Sequence, residues 1–426
     1  MRDQMKTLAD KIISKLNCED YEIDININDS IMIRYAQNRI TQNIVGENYQ
    51  VSLTVSENGR SGKYIVNSIE DDSIDFMIMK AFEMMNNSVK DPEFAGSGIF
   101  IQIPEVKNYC ESTINCTMDD MGCYIEKIIY NAVEKEANVS GFMTRNISYQ
   151  YSVTKNGFQA YDKTTNFSNS MTMAKGKRET KIVKSVKGFK NYNIDAELEN
   201  LNRRFSALSE PLQSEIGKYN VILMPEAVLN FFQMMFWYMN RRDSDLGMSP
   251  YYNQLNKLFF GEKFTFRSDI DDNDLTVKSY NPNGVVAKSL EWIKNGVIKN
   301  LPLDKAYANK IGEIPNLSAN FIIDGENNSI DDLMKKVDNG LIINNFWYIR
   351  NVDSKKGEIT GLTRDGVNYF ENGEIKHSLT NLRFNEIPYE VTRKILALGE
   401  SALLTDYSKV PAMLIKDFNF VDVTTF

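Results

Sequence analysis

The sequence predicts an α+β protein rich in antiparallel sheet, in which N-terminal α/β units precede a larger β-rich C-terminal domain with a buried central helix. Three features carry that reading. Long runs alternate apolar and polar residues with period two and are punctuated by Asn58-Gly59 and Asn156-Gly157, dipeptides suited to tight hairpins. Capped amphipathic segments flank those runs, as in two-layer units. A segment from Ala227 to Met239 is apolar on nearly every side, so it must be buried on nearly every side. Linkers near Gly96–Pro104 and Pro211–Lys218 divide the chain into 1–95, 105–212 and 219–426.

Each element has its own signal. Leu8, Ala9, Ile12, Ile13 and Leu16 share one helical face. Tyr21–Ile27, Ile31–Tyr35 and Tyr49–Ser56 read as strands, with a return strand at Lys63–Val66 after the Asn58-Gly59 turn. Asp72 or Ser73 caps a helix through Met85, ending before Asp91-Pro92. Thr117 opens a helix with Asp120 in the capping-box position. Strands at Val139–Thr154, Phe158–Met173 and Lys181–Phe189 read as a meander, closed by a helix over Asp195–Ser209. The third unit begins with the apolar strand Val221–Met224 and then Pro225 at a helix start. Short strands and turns follow, with brief helices near Leu303–Asn309, Ile330–Asp338 and Tyr389–Leu398.

Composition narrows the chemistry. The 426 residues carry a net charge of −8, 25% charged and 42% hydrophobic residues, which suit a globular chain and argue against a general polyanion binder. The basic stretch from Lys175 to Lys190 lacks interleaved aromatics for base stacking, so no nucleic-acid role is expected. No apolar run approaches a membrane span, and the charged start Met1-Arg2-Asp3-Gln4 is unlike a signal peptide; a cytoplasmic location is expected. Cys18, Cys110, Cys116 and Cys123 form no CxxC pair and read as reduced structural thiols. A single histidine, His377, denies the chain every site that needs two imidazoles, and no GxSxG motif supplies a nucleophile. The run Asp269, Asp271, Asp272, Asp274 lacks the Gly and Glu of a calcium loop and reads as a solvated strand end. The Met and aromatic residues at 231–239 suit either a core or an adaptable pocket, and core packing accounts for them better.

Several stretches in order resemble the TldD/PmbA family of peptide-processing proteins. They are Asn58-Gly59-Arg60-Ser61-Gly62-Lys63, then Gly261-Glu262 before Asp269–Asp272, then Asn283-Gly284 and Asn295-Gly296, and finally Gly357-Glu358 and Glu371-Asn372-Gly373. In the zinc-bearing branch, the resemblance implies an HExxxH motif on the helix after a strand such as Val221–Met224, with a late Cys completing the site. Here Gln233, Met234 and Tyr238 occupy the motif's positions, and no late Cys exists. The chain therefore looks like the PmbA, or TldE, branch, although His377-Ser378 and the bulky central helix depart from its usual pattern. The resemblance implies no catalytic residues, metal or cofactor in this chain. It implies a zinc-bearing TldD-like partner in a heterodimer, with unfolded peptide as substrate. The alternatives are a metal-free homodimer that binds peptides without cutting them, and an enzyme using Tyr, Lys or carboxylates without family precedent.

Overall fold

The computed structural model describes residues 1–424. Its N-terminal part runs α1 (Arg2–Ser14), β1 (Asp20–Ala36), β2 (Arg39–Glu57), β3 (Arg60–Val66), α2 (Asp71–Asn87), α3 (Glu111–Ile114), α4 (Met118–Glu134), β4 (Asn138–Thr154), β5 (Gln159–Lys175), β6 (Arg178–Val186) and α5 (Ile194–Ser206). The strands form one antiparallel sheet in the order β3-β2-β1-β4-β5-β6. Its central ladder joins β1 to β4 from Glu22↔Thr154 to Tyr35↔Gly141. The stretches 1–95 and 105–212 thus share a single sheet.

Two strands are longer than their alternation suggests. Asn28-Asp29-Ser30 has the composition of a turn, yet β1 runs straight through it. Asn28 accepts from Ser148 Oγ at 2.7 Å on the polar face, and Asp29 pairs with Arg145 at 2.9 Å on the other. β2 begins ten residues before Tyr49, and that first part, through Gln50, pairs with β1 alone. The turn chemistry behaves as expected: Asn58 and Gly59 take φ of 52° and 75° between β2 and β3. Thr117 and Asp120 form the reciprocal capping box of α4.

Period-two alternation sends the odd residues of β1 to one face, where they serve two cores in succession. Ile23, Ile25 and Ile27 pack with Met5, Ile12, Ile74 and Met77 of α1 and α2. Ile31, Ile33 and Tyr35 pack with Met121, Ile125, Leu198 and Leu201 of α4 and α5. All four long helices therefore cover one face, and the other is left polar.

The C-terminal part continues with β7 (Gly217–Leu223), α6 (Pro225–Tyr238), α7 (Arg241–Asp245), β8 (Phe266–Ser268), β9 (Leu290–Lys294), β10 (Val297–Ile298), α8 (Lys305–Ile311), β11 (Phe321–Ile323) and α9 (Ile330–Met334). It ends with β12 (Asn339–Asp353), β13 (Glu358–Glu371), β14 (Glu374–Leu379), β15 (Leu382–Glu386), α10 (Pro388–Arg393), β16 (Ile395–Leu398), β17 (Ala402–Thr405), β18 (Ser408–Val410) and β19 (Met413–Val423). One sheet has the order β10-β9-β8-β11-β18-β17, and the other β12-β7-β19-β15-β13-β14 with β16 added on β19. Pairings are antiparallel except β12–β7 and β11–β18.

Helix α6 touches both sheets. The Phe231 ring meets Phe346, Phe384 and Phe418 of the second sheet, at centroid distances of 5.9, 5.7 and 5.9 Å. On its other side Phe232 lies 4.8 Å from Phe264, and Phe236 contacts Phe266, Trp292 and Phe321. This is the buried central helix that the apolar segment demanded.

The two halves are fastened together. Arg204 of α5 pairs with Glu226 of α6 at 2.9 Å, each side chain only 9% exposed. Such a pair is costly to break singly, because the survivor is left as a buried charge. Gly98 crosses Gly284 so closely that a Cβ on Gly98 would sit 2.8 Å from the Gly284 Cα. The Asn108 amide grips the backbone of Val277 in both directions, at 2.8 Å each.

Phe232→Asp or Met235→Asp is expected to cost at least about 3 kcal/mol, because an unpaired carboxylate would enter an aromatic core. The check is soluble yield and Tm beside a Gln233→Ala control, which should stay near wild type. A soluble Phe232→Asp protein of unchanged Tm would contradict the packing described.

Candidate functional site

The polar face of the N-terminal sheet is set by register. Gln50, Asn26, Gln150 and Asp162 lie side by side across β2, β1, β4 and β5. Asn48, Asn28, Ser148 and Thr164 form the next row. These rows wall a cavity of about 1060 Å³ between the sheet and the C-terminal half. Across from them, Gln233, Phe236 and Trp237 project from α6, joined by the 276–280 segment and Tyr407. Trp237 is 74% exposed, so an indole stands open to the cavity.

Three of the acids around this space each accept at least two hydrogen bonds. Asp24 accepts from Asn26 Nδ2 at 2.6 Å, Gln150 Nε2 at 2.9 Å and Ser152 Oγ at 2.5 Å. Asp162 accepts from Ser279 Oγ at 2.8 Å and Asn108 Nδ2 at 3.0 Å, and Asp406 from Ser185 Oγ at 2.9 Å and Thr276 Oγ1 at 3.2 Å. Burial pushes both Asp162 and Asp406 above the usual carboxylate range, with these hydrogen bonds acting in the opposite direction. Both carboxylates span the junction between the halves, so they act as latches. Lys278 is exposed to the cavity but crowded by protein, which lowers its pKa, while the Asp24 charge works the other way. Chemically, the cavity offers a lattice of amide and hydroxyl groups with aromatic faces, rich in both hydrogen-bond donors and acceptors. It holds no imidazole to act as a base.

The residues singled out by sequence fall in different places. Gln233 faces the cavity and donates to Tyr407 Oη at 3.3 Å. Met234 packs against the main core. Tyr238 is half-buried and outside the cavity lining. An amide, a thioether and a phenol so arranged do not fit a zinc ion, which takes imidazole, thiolate or carboxylate ligands. Among the described residues no three His, Cys, Asp or Glu side chains converge as a ligand set. His377 stacks on Tyr369 within the β13–β14 pair, at 5.1 Å. The acidic run closes on cations of the chain itself: Asp269 on Arg267 at 2.9 Å, and Asp272 and Asp274 on Lys409 at 2.8 and 2.9 Å. The basic stretch is partly spent as well, with Lys184 donating to the Leu403 carbonyl and Lys187 to those of Lys107 and Leu275 at 3.0 and 3.1 Å. Sequence reasoning missed Asn26, Asn28, Gln50, Gln150 and Lys278. The signal available was that the polar positions of three alternating strands are amides and hydroxyls, with few charges.

The raised carboxylates give a pH prediction. A group whose folded pKa exceeds its unfolded value near 3.9 binds more protons when folded, so its stabilising effect grows as pH falls through the raised pKa. The Tm of wild type minus that of Asp406→Asn should therefore rise in favour of wild type as pH is lowered from 7 towards 4. A difference that instead grows with rising pH would contradict the assignment.

Comparison with known proteins agrees with this architecture. Residues 216–422 match the family described as PmbA/TldA metallopeptidase C-terminal domain. A zinc metalloprotease TldD homolog of Saccharolobus solfataricus is 26% identical over 211 residues; that match spans 46% of this chain and 46% of the relative, about half the length of each. In fold, TldE from Thermococcus kodakarensis superimposes with a TM-score of 0.85 at 15% identity, over 99% of both chains. A protein described as a modulator of a DNA gyrase from Thermotoga maritima gives 0.84 at 15% identity, over 98% of this chain and 100% of the other. Residues 216–422, just under half of the chain, thus form a C-terminal domain of the PmbA/TldA metallopeptidase family, and the chain as a whole has the fold of the TldE structure.

Proposed function

We propose that the chain is a PmbA/TldE-like subunit without hydrolytic chemistry of its own, which holds unstructured peptides for cleavage by a zinc-bearing TldD-like homologue. The observation that carries this reading is an amide-walled cavity beside a helix whose motif positions hold Gln233, Met234 and Tyr238. An extended peptide can join the sheet at β2, where residues 39–50 have no strand on their outer side among the described residues. Strand addition binds through the backbone, so it tolerates many sequences while rejecting folded proteins. The same edge carries Ile40, Ile44 and Val45 at 46, 41 and 64% exposure, a liability for a lone chain and an asset beside a partner or ligand. No helix among the described residues is long and apolar enough to cross a membrane, and the four cysteines are unpaired, which fits work in a reducing cytoplasm.

The test mixes the purified chain with a metal-bearing homologue from the same genome and follows molecular size and cleavage of an unstructured peptide. A heterodimer with cleavage only in the mixture is expected. If the chain neither associates with the homologue nor alters its activity, yet dimerises and binds peptide, the reading as a metal-free homodimeric binder takes its place. The triple variant Gln233→His, Met234→Glu, Tyr238→His should remain inert when alone, because the third ligand and the groups orienting the imidazoles are missing. Zinc-dependent proteolysis by that variant would show that only the motif had been lost.

A further inference from the structure

Among the described residues Lys278 is the only Lys or Arg lining the cavity, and its ammonium makes no hydrogen bond or ion pair there. Two lysines elsewhere in the C-terminal half, Lys305 and Lys394, are by contrast fully engaged. Lys305 donates to the carbonyls of Gly96, Ser97 and Asn283 at 3.0, 2.7 and 3.2 Å, and Lys394 pairs with Glu386 at 3.1 Å. The backbone beneath Lys278 is fixed: Val277 N–H donates to Asn108 Oδ1 at 2.8 Å, Lys278 N–H to the Ala319 carbonyl at 3.0 Å, and Ser279 Oγ to Asp162 at 2.8 Å. A flexible cation is thus presented to the cavity from a rigid mount. The nearby acids do not claim it. Asp24 is occupied by three donors and Asp162 by Ser279 and Asn108, Asp406 is held by Ser185 and Thr276, and Glu47 accepts from Tyr49 Oη.

We infer that Lys278 is the carboxylate anchor of the cavity, taking a carboxylate of the bound extended peptide in a site otherwise built of neutral amides. The inference rests on the peptide-binding reading and adds selectivity to it: strand addition is blind to sequence, whereas one unpaired ammonium is not. A carboxylate carried by an Asp or Glu side chain and one at a peptide's C-terminus share this chemistry.

The experiment measures Kd by fluorescence anisotropy for the full chain with three versions of one unstructured, neutral, polar peptide. One ends in a carboxamide, one in a free carboxylate, and one ends in a carboxamide but has a central Gln replaced by Glu. Wild type should bind at least one charged version about tenfold tighter than the neutral one, as a charge-assisted hydrogen bond in a confined site allows. The version that gains identifies the source of the carboxylate. Lys278→Met should bring the charged and neutral versions to equal affinity, whatever that affinity is, and Lys278→Arg should keep most of the difference. Equal binding of all three by wild type, or a gain that survives Lys278→Met, would overturn the anchor while leaving peptide binding intact. Failure of wild type to bind any version would overturn the peptide-binding reading and the anchor with it.

Discussion

A β-strand presents two faces and no more, and the 17 residues of β1 commit one of them to hydrocarbon and the other to amides. Ile23, Ile25, Ile27, Ile31, Ile33 and Tyr35 take the four long helices of the N-terminal layer onto one side. The only break in that apolar series is Asp29, whose pairing with Arg145 satisfies its charge where the strand passes from one core to the next. Because the helices are confined to one side, Asp24, Asn26 and Asn28 are left to face the C-terminal half. A one-residue slip of β1 against β4 would exchange the two faces, destroying both cores and the cavity wall together.

The C-terminal half answers with the opposite device. Helix α6 fills the space between two sheets with aromatic rings, and only the Gln233, Phe236 and Trp237 side of it reaches the cavity. Hydrophobic packing fixes where the helix lies, and polar latches fix how the sheet meets it. Asp162 and Asp406 tolerate burial because each accepts hydrogen bonds from hydroxyls or amides across the junction. The Arg204–Glu226 pair ties α5 to the start of α6, so the helix cannot shift without exposing a buried charge.

Much of the local structure was legible in the residues. Asn58-Gly59 dictated a hairpin, Thr117 with Asp120 dictated a helix start, and an apolar segment at 227–239 could only be a buried helix. What sequence could not supply was pairing at a distance. The ladder between β1 and β4 joins residues more than a hundred positions apart, so two units read as separate proved to share a sheet. The strand reading broke between Ile27 and Ile31 because the partner that satisfies Asp29 lies on another strand. For the site, the motif positions were legible as a loss of ligands, but only geometry distinguishes Gln233, which faces the cavity, from Met234, which packs in the core. Lys278 drew no notice because a lone lysine in an irregular segment gains meaning only from the lack of a partner around it.

The central claim is that an extended chain enters the cavity by adding to the free edge of β2. Backbone amide hydrogen exchange of the intact chain, with and without a saturating unstructured peptide, tests it most directly. The account predicts that exchange slows along residues 39–50, where alternate N–H groups gain strand partners, with smaller effects around 276–280. Unchanged exchange along that edge under saturating peptide, or protection confined to a surface remote from the cavity, would contradict it.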